Sequence, residues 1–282
     1  RPATRRRPRP WSVSLIMPPV FKGLDDRGNS IGTNVSFWKA VAAGAKDGNG
    51  KPLWYKKGLD YWDAVEPTDD GVLGGYGHVS ERDAKENGEF LEETFGSVLA
   101  ERAVGARGAL VACDCGAGIG RVTTSFLIHK FDEVDLVEPV VHFIEKAEAL
   151  LNGPNAPTRT NGHKAVNFFA LPLEGFEPAP NRYDAVWFQW CVGHLTDDDF
   201  VSLFNRCAVG LKPDGMIFVK ENNAKEGFVL DTEDSSLTRS HKYFMFLFED
   251  VLGWEVVKHR TQKDFPSELF TVRMYAVRPK RV

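Results

Sequence analysis

The stretch Leu110-Val111-Ala112-Cys113-Asp114-Cys115-Gly116-Ala117-Gly118-Ile119-Gly120-Arg121 constrains this chain more than any other. An apolar run ends on an acid and then on glycines at alternate positions, the pattern of a buried strand feeding a tight turn and a helix. Glycine there lets the backbone take positive φ and lets a ligand lie against bare peptide groups, which a Cβ would prevent. A dinucleotide fingerprint, G-x-G-x-x-G, rests a pyrophosphate on the helix N-terminus. Here the spacing is the shorter G-x-G-x-G, which suits a nucleoside without phosphate such as S-adenosylmethionine. The next apolar run ends at Glu138, where a carboxylate accepts hydrogen bonds from ribose hydroxyls. Both ligand classes use that acid, so it does not separate them, and taken alone the glycines are also compatible with an ordinary strand–helix turn.

The order of elements carries more. Beyond the glycines the pattern predicts a helix over 122–131, a strand over 133–138, a helix over 140–151, a proline-rich surface loop to Gly162 and strands over 165–170 and 183–190. A capping box, Thr196 with Asp199, opens a helix reaching 211. A turn over 211–215, a strand over 216–220, a helix over 240–252 and two strands over 254–259 and 270–277 complete the chain. Strands alternating with helices predict an α/β fold with a parallel sheet covered on both faces. The closing hairpin is a mark of the class I S-adenosylmethionine-dependent methyltransferase sheet, Rossmann-like, seven-stranded, with its last strand antiparallel.

Upstream, Arg1-Pro2-Ala3-Thr4-Arg5-Arg6-Arg7-Pro8-Arg9-Pro10 has almost no apolar content, and its prolines forbid regular hydrogen bonding, so disorder is expected. The chain lacks an initiator Met, as a fragment or a processed protein would, and no acid precedes Asp25. That start fits either a solvated basic tail or the remnant of an organelle-targeting segment. Residues 23–50 read as loop with a short helix over 35–45. Tyr55, Leu59 and Trp62 form an apolar helical stripe, and 70–78 is too glycine-rich for a helix or central strand, as if moulded round a ligand. Phe90, Leu91, Phe95, Val98 and Leu99 mark a helix over 80–100.

Composition narrows the partners. A net charge of −4 over 282 residues gives no concentrated basic surface for nucleic acid, and a basic peptide is the more natural partner. No apolar run approaches the roughly 20 residues of a membrane helix. The four cysteines, Cys113, Cys115, Cys191 and Cys207, match no zinc template, so no metal is expected, and buried apolar fillers in a reducing compartment account for them.

Tyr61-Trp62, the segment from Asp70 to His78, Asp114 to Arg121, Gln189 to Asp197, Lys220-Glu221-Asn222-Asn223 and Leu230 to Ser236 together closely resemble the protein α-N-terminal methyltransferases. The likeness runs from about Trp54 to Arg278. It implies S-adenosylmethionine-dependent methylation of the free α-amine of proteins beginning X-Pro-Lys or X-Pro-Arg, with S-adenosylhomocysteine as product, in cytoplasm, nucleus or both. It divides the chain into an N-terminal extension, 1–50, and a methyltransferase domain, 51–282, whose helices and glycine-rich lid span 51–105 and whose core spans 106–282. Carried over position by position, it places Gly116, Gly118, Gly120, Arg121, Glu138, Leu173, Glu174 and Gln189 on the cofactor. Trp62, Leu73, Gly74, Trp190, Asn222, Asp231, Asp234 and Phe270 would form the peptide groove, with His194 and Asp234 as proton acceptors. The chain departs from the family pattern at Glu138 and Glu221, where Asp is expected, at Glu174, where Gln is expected, and at Phe270, where a Tyr hydroxyl is expected.

The chemistry asks for such groups. An α-amine with pKa near 8 is mostly protonated at neutral pH, and only its neutral form has a lone pair to offer. A proline ring can pack flat on Trp190, and a basic third residue can face Asp231 and Asp234. A small-molecule N- or O-methyltransferase on the same fold and a non-catalytic S-adenosylmethionine-binding adaptor are the competing readings.

Overall fold

The computed structural model describes residues 19–154, 156 and 161–280. The basic tail expected to be disordered and part of the proline-rich loop lie outside these residues. The described chain opens with two short strands, β1 (Lys22–Asp25) and β2 (Ser30–Thr33), followed by α1 (Asn34–Ala43), α2 (Leu53–Asp63), a single turn α3 (Asp69–Val72) and the long α4 (Ser80–Ala103). The core then alternates β3 (Val111–Cys115), α5 (Arg121–Ser125), β4 (Glu133–Val137), α6 (Val141–Asn152), β5 (Lys164–Phe169), β6 (Tyr183–Gln189), α7 (Asp197–Gly210) and β7 (Leu211–Asn223). It finishes with β8 (Phe228–Asp231), β9 (Ser236–Arg239), α8 (His241–Met245), β10 (Glu255–Thr261) and β11 (Thr271–Arg278).

The main sheet has the order β10-β11-β7-β6-β3-β4-β5, with β11 antiparallel to both its neighbours and β7 through β5 parallel. Its central strands are near-continuous apolar runs because both faces are covered. Side chains alternate between two cores. Cys113, Cys115, Val186 and Phe188 face α7, which contributes Phe200 and Phe204, whereas Ala112, Ala185 and Trp187 face Phe90, Leu91 and Phe95 of α4. The C-terminal ends of β3, β4, β5 and β6 therefore open on one edge, where α/β sheets bind ligands.

Several local readings change. The helix expected over 122–131 is only α5 plus a 3-10 turn, Leu127–His129. Thr123 turns its hydroxyl to Asp114 at 2.6 Å and Ser125 back-bonds to the Arg121 carbonyl at 2.7 Å, both drawing the chain away from a continued helix. The turn expected over 211–215 is an irregularity within β7, whose register against β6 shifts between Tyr183 and Ala185. The helix over 240–252 divides into α8 and a π-helical stretch, Phe246–Val251. Inside 70–78 the chain does form helix, the turn α3, because the Thr68 hydroxyl accepts the Gly71 N–H. Of the Tyr55–Leu59–Trp62 stripe, Leu59 is 42% exposed, and α2 buries Trp54 and Gly58 instead. The capping box at Thr196 is half formed: its hydroxyl accepts the Asp199 N–H, but the hydroxyl of Tyr55, not Asp199, takes the Thr196 N–H.

The largest change lies in the region read as loop. Strands β1 and β2 join β8 and β9 in a second sheet of order β2-β1-β8-β9, with β1 parallel to β8. Phe21 stacks on Tyr243 at 4.1 Å, and Trp38 and Phe37 pack edge-on against Trp54. Glycine permits this pairing. Gly227 has φ +50, and a Cβ there would stand 1.8 Å from the Lys22 carbonyl oxygen. Gly227→Ala is therefore expected to detach β1 from β8 and to destabilise the protein by about 2 kcal/mol or more, read from the shift of the denaturation midpoint. An unchanged midpoint would mean that the pairing contributes nothing.

Candidate active site

The turn after β3 holds the first half of the site. Gly116, Gly118 and Gly120 all take left-handed backbone, at φ 71, 54 and 77. A Cβ on Gly116 would strike the Cys191 Cβ at 2.4 Å, and one on Gly120 would press Ala147 at 3.0 Å, whereas the Cβ direction of Gly118 is open. Glu138, one residue beyond β4, accepts the Gly118 N–H and the Val140 N–H, each at 2.9 Å. Burial pushes its carboxyl up to about 7, while those N–H groups pull the other way.

A cavity of about 370 Å³ sits over this turn. Of the predicted cofactor residues, Gly116, Gly118, Arg121, Glu138, Leu173, Glu174 and Gln189 line it, and Gly120 does not, packing α5 against α6 instead. The polar ends of two lining residues are directed into the core. Gln189 donates to Asp83 at 2.7 Å and accepts from Asn87 and Trp187, and Arg121 donates to Asp83 at 2.8 Å. The buried ammonium of Lys220 reaches both Asp83 and, at 2.7 Å, Asn87. The sequence reading missed Asp83 and Asn87. Their signal is two polar residues on the stripe that continues as Phe90 and Leu91. It also missed Asp47, Asn49 and Lys51, which wall the cavity from the N-terminal side.

A second cavity, about 260 Å³, adjoins the first, and Trp62, Leu73, Trp190 and His194 line both. Gly74, Asn222, Asp234 and Phe270 complete the predicted groove, joined by the unpredicted Glu221 and Phe265. Asp231 lies outside both linings. Its Oδ1 accepts the Glu233 N–H at 2.8 Å and the Asp234 N–H at 3.3 Å, so it shapes the β8–β9 turn. Burial pushes the Glu221 carboxyl up to about 7, and its Oε1 accepts the Val192 N–H at 2.9 Å. Trp190 takes φ 55, an unusual value for a non-glycine residue, at the very end of β6. Its ring lies 5.4 Å from the Arg121 guanidinium and 5.9 Å from the Lys220 ammonium.

His194 is tightly specified. Trp62 Nε1 donates to its Nε2 at 3.0 Å, and its Nδ1 meets the Ser235 carbonyl at 3.3 Å, which assigns a neutral ring protonated at Nδ1. Burial pushes its pKa below the ordinary value, against the pull of Asp234. Asp234 Oδ2 stands 4.0 Å from Nε2, and Oδ1 is buried without a hydrogen-bond partner among the described residues. Burial raises the Asp234 carboxyl, again against its partner's pull. The loop beneath is clamped. Arg239, fully buried, donates to the Val192 and Leu195 carbonyls at 3.1 and 2.7 Å, and Trp54 donates to the His194 carbonyl at 2.6 Å.

A glycine cradle with one open Cβ direction and a buried carboxylate with lone pairs to spare, in a cavity that shares Trp190 and His194 with a second chamber, fit an S-adenosylmethionine-dependent methyltransferase. The family model described as "AdoMet dependent proline di-methyltransferase" matches residues 50–278, and the chain belongs to that family. It is 48% identical over 258 residues to alpha N-terminal protein methyltransferase 1 of Arabidopsis thaliana, covering 90% of each chain. It is 37% identical to the N-terminal Xaa-Pro-Lys N-methyltransferase 1-A of Xenopus laevis over 80% of this chain and 95% of that one. A solved S-adenosylmethionine-dependent methyltransferase from Leishmania major superposes with a TM-score of 0.80 at 36% identity, covering 95% of this chain and 100% of its own.

Proposed function

We propose that this enzyme methylates the free α-amine of proteins that begin X-Pro-Lys or X-Pro-Arg. The observation that carries the reading is the pair formed by His194, which lines both cavities, and Asp234, which lines the second, 4.0 Å apart and with one carboxylate oxygen unpartnered among the described residues. The cofactor, when bound, supplies an electrophilic methyl group. The protein's own task is to take a proton from the ammonium and hold the nitrogen in line.

Asp234 is the better placed acceptor, since the Nε2 lone pair of His194 is already held by Trp62. His194 then tunes the carboxylate and bounds the position of the nitrogen. The Trp190 ring gives a proline a flat apolar seat, and Asp234 offers a basic third residue a carboxylate to face, with Asp231 acting through the turn that holds it. A peptide beginning Ser-Pro-Lys is expected to be turned over, its N-acetylated form not at all, and a Ser-Ala-Lys peptide at least about tenfold less efficiently for loss of the ring contact. Equal turnover of the acetylated peptide would overturn the reading.

Glu138 adds a pH dependence. Ribose hydroxyls bond more strongly to an ionised acceptor than to a neutral one, and burial pushes the Glu138 carboxyl up to about 7. Affinity for S-adenosylhomocysteine should therefore rise with pH through about 7 and level off above it, and Glu138→Gln should flatten that rise. Titration calorimetry between pH 6 and 8.5 reads both, and a pH-independent wild-type affinity would remove Glu138 from the ribose.

A further inference from the structure

The N-terminal side of the cofactor cavity is closed by a built turn. Asp47 Oδ1 accepts the Asn49 and Lys51 N–H groups, each at 2.8 Å, and the Asp47 N–H donates to the Lys51 carbonyl at 2.8 Å. Gly50, at φ 79, supplies the left-handed residue, and a bridge between Lys46 and Pro52 seals the base. From this turn Lys51 reaches across to Glu174, Nζ to Oε1 2.9 Å, tying together segments 123 residues apart. The Glu174 side chain is 11% exposed and that of Lys51 46%.

The sheet order says which part of the cofactor lies there. Glu138 at the end of β4 marks the ribose. The wall of Trp190 and His194, at and beyond the end of β6, is shared with the second cavity, so the methyl-bearing arm runs toward β6. The base must run the opposite way, toward the end of β5, which lies beyond β4 from β6. Leu173, Glu174 and the 47–51 turn are the lining found on that side.

We propose that the 47–51 turn is the purine wall of the cofactor site, and that Lys51, by fixing and neutralising Glu174, makes the site select a 6-amino over a 6-oxo purine. The inference rests on the cavity's assignment to S-adenosylmethionine. A carboxylate can only accept, so it matches an exocyclic amine and opposes a carbonyl oxygen. Lys51 holds the carboxylate in place and offsets its charge beside the base, a role that a Gln at this position would not need. A 6-oxo group set against Glu174 finds a second acceptor in place of a donor, and such mismatches in a half-closed site discriminate strongly.

The test is calorimetry on the full chain with S-adenosylhomocysteine and its deaminated analogue, S-inosylhomocysteine. The wild type is expected to prefer the adenosyl compound by at least about a hundredfold. Lys51→Met should raise the Kd for S-adenosylhomocysteine about tenfold, Lys51→Arg should restore it, and Glu174→Gln, whose amide can donate, should narrow the preference. Peptide KM at saturating cofactor should not move in Lys51→Met, which separates a lost purine contact from a general loosening of the fold. Equal wild-type affinity for the two compounds, or a Lys51→Met variant whose affinity and preference both match the wild type, would overturn the proposal. A wild type that binds neither would instead overturn the cofactor assignment beneath it.

Discussion

Asp234→Asn is expected to lower kcat on a Ser-Pro-Lys peptide by about a hundredfold or more, the range that a positioned general base supplies, while the Kd for S-adenosylhomocysteine stays within about twofold. Asn keeps the shape of Asp but cannot take a proton. Among the described residues that line the second cavity, His194 Nε2 already receives the Trp62 indole N–H at 3.0 Å, and Glu221 Oε1 already accepts the Val192 N–H at 2.9 Å. The pH profile should change with the rate. In the wild type, kcat/KM on the free peptide rises as Asp234 ionises, above the ordinary range of an Asp because burial raises it. It then stays level until the substrate ammonium itself titrates near pH 8. In the variant only peptide that has already lost its proton is productive, so the rise should continue to about pH 8. An Asp234→Asn enzyme with wild-type kcat and profile would transfer the role elsewhere, His194 being the next candidate.

The largest stability effect is expected at Asp83. This carboxylate, fully buried in α4, receives Arg121 and Gln189 on one oxygen at 2.8 and 2.7 Å and Lys220 on the other. Burial alone would raise its pKa, but the two cations outweigh burial and hold it below the ordinary value. Lys220, with no exposed side-chain surface, is pushed down by burial and rescued in part by Asp83. Asp83→Ala leaves two buried cations beside one another without the carboxylate that pairs with both, a loss of about 3–5 kcal/mol. In a chain of this size that lowers Tm by about 10 °C.

The sign of the pH effect follows from Lys220. Without Asp83 its folded pKa falls further below its unfolded value, so the unfolded state binds more protons and stability climbs with pH. The deficit of Asp83→Ala should therefore shrink toward alkaline pH. The double variant Asp83→Leu/Lys220→Met, which removes both charges, should be less destabilised than the sum of its single changes. Thermal melts from pH 6 to 9.5 read both outcomes, and a pH-independent deficit would mean that the charges are not what the triad contributes.

What the sequence disclosed follows from how far each interaction reaches along the chain. The parallel core was legible because β3 and β6 are buried end to end and read as apolar runs, and the glycine turn because its backbone conformation admits few other residues. Strands β1, β2, β8 and β9 were not legible. Each has four residues, two of them carry glycine, and their stability lies in a pairing between residues about two hundred positions apart, such as Gly23 with Phe228.

The site divides the same way. His194, Asp234 and Trp190 stand in compact local motifs, and the three line one cavity. Asp231 sits in such a motif too, yet its carboxylate is used by its own turn. Asp83 and Asn87 look like a solvated helix face until their spacing to Phe90 and Leu91 places them on the buried stripe. Asp47-Gly48-Asn49-Gly50 reads as a turn, but nothing local places it on the cavity, since its partner Glu174 is far along the chain.

On the proposed function, a polypeptide's first nitrogen reaches His194 and Asp234 where the two cavities adjoin. Tandem mass spectrometry of a Ser-Pro-Lys peptide incubated with the enzyme and S-adenosylmethionine tests it most directly. Every added methyl group is expected on the α-nitrogen, with the lysine side chain unmodified and an α-acetylated control unchanged. Methyl groups on the lysine ε-nitrogen would contradict it.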